Sequence, residues 1–197
     1  MSMSLRETIL TESRSMMIRE GFANLSMRKI ATEVGVTATS IYLHFKNKED
    51  LLYALMDESI SELNNKLQLA AESGSDPLES LEEVARTYIE FGLAHPQEYE
   101  MVFLVRAEEL PRYPKDKFRE ARRGYEILAS LIDDGVKAGL LEDDDSLTSA
   151  YTIWAQMHGV VSVILNRRLD TRIGQKDFIN NSIEHIIQGF LARRTPV

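Results

Sequence analysis

Cysteine is absent from this 197-residue chain, so it can hold neither a disulfide framework nor a thiolate metal site. Proline and glycine are scarce, at five and ten residues, and the long intervals between them favour helix. No apolar run approaches the length of a membrane span. Met1 to Arg6 lacks the apolar stretch of a signal peptide, and the expectation is a cytoplasmic protein without membrane contact. Signatures of catalysis are also missing. His44, His95, His158 and His185 show no metal spacing, and there is no phosphate loop, dinucleotide fingerprint or G-x-S-x-G. Asp143 to Asp145 lacks the glycine and distal glutamate of a calcium loop and reads as a solvated helix cap. These absences give no support to an enzyme, a cofactor or a metal.

Charge is present but uneven. The formal net charge is −8, yet residues 1–50 carry seven basic against six acidic side chains. An acidic body with a near-neutral amino-terminal module can still present a local phosphate-binding face.

Leu5, Ile9, Ser13 and Met16 recur at helical spacing, so residues 4–20 read as a first helix ended by Gly21 in a left-handed conformation. Ser26 suits the N-cap of a second helix that buries Ile30, Ala31 and Val34, and Gly35 stops it. Thr37 caps a third. On that short helix Ile41 and Phe45 share the buried side. Thr39 and Leu43 point away from it, flanked by Ser40 and Tyr42. Lysine and glutamate are the usual solubilising choices for such a face. Hydroxyls that reach base edges or phosphates, and an apolar carbon that meets a thymine methyl, are what a DNA major groove asks for. Two short helices joined by a glycine turn make a helix-turn-helix, with the second as reader. Asn47 then caps a fourth helix whose first residue, Lys48, suits a DNA phosphate, and Arg28 could reach the backbone or a guanine edge.

At this point the residues resemble a known family. "LSMRKIATEVGVTATSIYLHFKNKEDLLYAL", residues 25–55, closely resembles the amino-terminal domain of the TetR family of bacterial transcriptional regulators, and "IYLHFKNKEDLL" is its most specific part. "HPQEYEMVF" and "WAQMHGVVSVIL" are similar to some of the family's effector-binding domains. The resemblance implies a homodimer that binds palindromic operator DNA, usually a repressor, released by a small-molecule effector. It implies that Arg28, Thr37, Ala38, Thr39, Tyr42, Leu43, His44 and Lys48 face DNA. Ala38 departs from the pattern, which often has a longer polar residue there. Leu43 is apolar where polar or aromatic residues are common, and fits a methyl contact.

The rest of the chain reads as helices over 48–73, 77–95, 97–105, 118–138, 146–168 and 176–193, with loop over 106–117 and no strand signal. The expected fold is all-α, about nine helices. Residues 1–47 form a three-helix DNA-binding domain, and residues 48–197 form a helical effector-binding and dimerisation domain. Aromatic, methionine and polar positions on the body helices are the effector candidates: Tyr88, Phe91, Met101, Phe103, Tyr125, Trp154, Met157 and His158. Together they favour an apolar pocket with one or two hydrogen-bonding groups and an uncharged or weakly polar ligand. Two late stripes are wide. Ile153, Val161, Ile164 and Leu165 lie on one helix, and Ile179, Ile183, Ile186 and Phe190 on the next. Burial against a twin copy explains stripes of that width, and so does a central core. An α-helical enzyme or carrier, whose first helices are only structural, stays open as the rival reading.

Overall fold

In the computed structural model, helix boundaries follow local signals that short stretches of chain supply by themselves. The structure describes residues 3–21, 24–104 and 118–191, with the side chains of Phe118 and Arg119 outside the description. The expected loop over 106–117, residue 105 and the end of the last helix beyond residue 191 lie outside the described residues.

α1 (Leu5–Glu20) opens on a capping box: the Ser4 hydroxyl accepts the Glu7 N–H at 3.3 Å, and the Glu7 carboxylate accepts the Ser4 N–H at 2.7 Å. Gly21 ends it at φ 81°, ψ 158°, positive in φ as expected but with ψ outside the left-handed helical region. α2 (Met27–Val34) is capped by Ser26, and Gly35 at φ 75°, ψ 30° turns the chain into α3 (Ala38–Tyr42). Ile30 and Ala31 are buried as expected, whereas Val34 is only half-buried. Ile41 and Phe45 enter a core formed with Ile9, Leu10, Ile30 and Met16, and the Arg6 guanidinium lies 5.2 Å above the Phe45 ring.

α4 (Lys48–Ala71) begins under Asn47, whose side-chain oxygen accepts the Asp50 N–H at 2.8 Å. Leu51, Leu52 and Leu55 belong to the same core as α1–α3. The chain divides into one unit of Met1–Ile60 with Gln97–Phe118, and another of Ser61–Pro96 with Arg119–Val197. The division thus falls inside α4 rather than at residue 47, because the first turns of α4 complete the amino-terminal core.

In the second unit, Asp76 caps α5 (Pro77–Ala94) by accepting from the Leu78 and Glu79 N–H groups, with Pro77 in the first turn. From Gln97 the chain belongs to the first unit again, and there α6 (Pro96–Tyr99) runs into a π-helical turn over Glu100–Leu104, a departure from the plain helix expected there. α7 (Phe118–Lys137) is followed by α8 (Ser146–Leu165), capped by Asp145, and α9 (Gln175–Gln188). The amide of Asn64 on α4 donates to the Glu120 carbonyl at 2.8 Å and to its carboxylate at 3.0 Å, tying α4 to α7. Leu81, Val84, Ala85 and Tyr88 of α5 are buried, and α5, α8 and α9 pack on one another.

Both late helices are shorter than the apolar pattern predicts. The Arg168 N–H bonds Val163 O and the Arg167 N–H bonds Ile164 O, with Arg167 at φ 54°, which closes α8 before its expected end. After Gln188 the chain turns through Gly189 and Phe190, the Glu142 N–H donates to Phe190 O at 3.2 Å, and Leu191 forms an isolated antiparallel bridge with Leu141. Among the described residues the fold is otherwise all helix. No helix of the described residues is long and apolar enough to cross a membrane.

The dimer expectation needs a correction. Ile153, Val161, Ile183 and Ile186 are 0–2% exposed within the single chain and form its core, so they leave nothing for a partner to cover. Ile164, Leu165, Ile179 and Phe190 are half-buried. The stripes are wide because α8 and α9 each meet α5 and one another.

Candidate functional site

The outer side of α3 is built by what its inner side must do. With Ile41 and Phe45 fixed in the core, helical geometry sends Thr39 and Leu43 the opposite way. Tyr42 is 52% exposed and Leu43 81% exposed. Arg28, Thr37, Thr39 and His44 are exposed as well, and Ala38, Ser40 and Lys48 are half-buried. None of the nine positions expected to face DNA is buried under its own neighbours.

Two of them also hold the helix together. The Thr37 hydroxyl accepts the Ser40 N–H at 3.2 Å, and the two hydroxyls lie 3.0 Å apart, so Thr37 is a cap as well as a surface group. The α1–α2 pair is pinned by ions: Glu20 accepts from Arg19 and Lys29, and Arg19 also reaches Glu33 at 3.1 Å. Those two cations hold the Glu20 carboxyl below its ordinary range.

The second unit carries an aromatic cluster. Trp154 Nε1–H donates to the Tyr88 hydroxyl at 3.0 Å, linking α8 to α5. The Trp154 ring meets Tyr125 edge-on at 5.4 Å and stacks on His158 at 5.1 Å. Tyr125 stacks on Tyr151 at 4.1 Å. Burial, with a smaller contribution from Tyr151, pushes the Tyr125 hydroxyl up to about 12, and burial pushes the His158 imidazole down. The cluster therefore offers hydroxyls and a neutral imidazole, and no formal charge.

Of the eight expected effector residues, Tyr88, Tyr125, Trp154 and His158 are brought together here. Phe91 and Met157 are buried in the same unit, with the Phe91 ring 4.7 Å from that of His95. Met101 and Phe103 are corrected: both lie in the amino-terminal unit, where Met101 joins the core and Phe103 packs 4.8 Å from Tyr99. Tyr151 was missed by sequence reasoning, although its spacing of three from Trp154 and seven from His158 puts all three on one helical face.

Comparison with known proteins adds to this geometry. A model described as bacterial regulatory proteins of the tetR family matches residues 9–55, and one described as a tetracyclin repressor-like C-terminal domain matches residues 81–190. The fatty acid metabolism regulator protein of Bacillus subtilis is 24% identical over 68% of this chain and 70% of its own. The HTH-type transcriptional repressor KstR2 of Mycolicibacterium smegmatis is 23% identical over 75% of this chain and 73% of its own. A solved structure of a protein of unknown function from Rhodococcus sp. RHA1 shares the fold at a TM-score of 0.87, with 21% identity and 97% of both chains covered.

Proposed function

The chain belongs to the TetR family and is a DNA-binding transcriptional regulator rather than an enzyme, and from that premise we propose that it works as a homodimeric repressor released from a palindromic operator by a largely apolar small molecule. The observation that carries this reading is the uncovered outer side of α3, with Thr39, Tyr42 and Leu43 exposed on a helix anchored by Ile41 and Phe45. In a two-fold dimer the two α3 helices would enter successive major grooves about 34–36 Å apart. Thr39, Tyr42, Leu43 and His44 would face base edges, while Arg28 and Lys48 would neutralise phosphates and set the register. The half-buried Ile164, Leu165, Ile179 and Phe190 would complete the contact between copies.

Tyr88, Tyr125, Trp154 and His158 are the effector contacts in this reading, with Tyr151 added. Their uncharged polar groups support a ligand with an apolar body and one or two hydrogen-bonding atoms. A relative named for fatty acid metabolism agrees with an apolar effector. Tyr125 and Glu120 lie on the same helix, and Glu120 holds Asn64 of α4, whose first turn bears Lys48. Weakening operator binding a thousandfold requires the ligand to favour the released state by about 4 kcal/mol.

Selection of duplexes from a random-sequence pool by the full-length protein tests the reading. Recovery of an inverted repeat with half-sites one helical turn, or a multiple, apart supports it. A pool that stays unenriched after repeated rounds contradicts it.

A further inference from the structure

Leu43 is the most exposed large apolar side chain among the described residues, at 81%. It is not on a loose segment. Its N–H donates to the Thr39 carbonyl at 3.2 Å, it closes α3 at φ −71°, ψ −24°, and the next residue but one, Phe45, is anchored in the core. Exposed Tyr42 and His44 flank it, and exposed Thr39 lies one turn earlier. Each of those neighbours can donate or accept a hydrogen bond; leucine can do neither. A helix lowered into the major groove on this face would set Leu43 against base edges that carry donors and acceptors at every pair. Their one distinctive apolar group is the C5-methyl of thymine. Setting leucine against any other edge would desolvate polar groups without pairing them, which disfavours the other bases at that position.

We propose that Leu43 reads the C5-methyl group of one thymine in each half-site of the operator. The inference rests on the reading of α3 as the DNA-facing helix. It adds a base identity that hydroxyl and imidazole contacts do not specify.

The test uses a duplex recovered by selection with the full-length protein. Each thymine is replaced in turn by uracil, which removes the methyl group and leaves the pairing edge intact. Binding is measured by fluorescence anisotropy for the wild type and for Leu43→Ala. At one position per half-site, uracil should weaken wild-type binding about fourfold, the worth of one buried methyl-sized group. Leu43→Ala should bind the thymine duplex more weakly and make no distinction between thymine and uracil there. Its circular dichroism and melting should match the wild type, because the side chain supports no part of the core. Saturable binding that is indifferent to uracil at every position overturns the inference while leaving DNA binding by α3 intact. A uracil penalty that persists in Leu43→Ala also overturns it, since another side chain then reads the methyl. Failure to bind any selected duplex overturns the DNA-facing reading of α3 as well.

Discussion

The indole N–H of Trp154 donates to the hydroxyl of Tyr88 across 3.0 Å, joining α8 to α5 by side chains at the aromatic cluster. Trp154 is the one tryptophan in the chain, so its emission reports on this cluster alone. Tyr88→Phe keeps the ring and removes the acceptor. A lost hydrogen bond of this kind costs about 1 kcal/mol, more when the remaining donor is cut off from water. The variant should unfold at lower urea concentration in a tryptophan-emission titration, with a shifted emission maximum in the folded state. An unchanged midpoint would mean that the bond adds nothing to the packing of the two helices.

Burial holds the His158 imidazole below its ordinary pKa. The folded state then binds a proton less readily than the unfolded state. The stability from neutral His158 is fully present above the unfolded value of about 6.5, and it is lost as pH falls toward the depressed folded value. Urea titrations at pH 7.5 and pH 5.5 should show the wild type losing stability at the lower pH. His158→Gln, which cannot charge, should lose less.

Gly159 faces open space in the single chain: a Cβ built there meets nothing within 4 Å. Ala155 and Gln156 on the same helix are exposed. If copies pair through this side of α8, a long charged side chain at 159 obstructs the contact without disturbing the core. Gly159→Arg should elute as a monomer in chromatography with light scattering, with wild-type helicity. A dimer of unchanged affinity would move the pairing surface elsewhere.

What could be read from the sequence was mostly what is local. Ser26, Thr37 and Asp145 each cap a helix because a side-chain oxygen three residues ahead of an N–H suffices, and no distant partner is involved. The exposed side of α3 was equally legible, since two core residues four apart dictate which way the others point. The end of α9 was not. It depends on Leu141 and Leu191 meeting across a long separation, and the apolar pattern continues past that point. The width of the α8 and α9 stripes was legible, but its cause was not. Ile153, Val161, Ile183 and Ile186 serve the chain's own core. Periodicity counts apolar residues and is silent on which neighbour covers them. For the same reason Met101 read as a pocket residue, although it belongs to the core around Ile9 and Phe45.

The proposed regulation requires α3 and the first turn of α4 to receive DNA. The most direct measurement is fluorescence anisotropy of a selected duplex titrated with the wild type, Tyr42→Ala and Lys48→Ala over a range of salt concentrations. Tyr42 is half exposed, so its loss should leave the melting temperature unchanged and weaken specific binding by about tenfold or more, the worth of a good base-edge contact. Lys48→Ala should weaken binding to all sequences alike and lower the salt slope by about one per half-site. Both variants binding with wild-type affinity and wild-type salt slope would contradict the account.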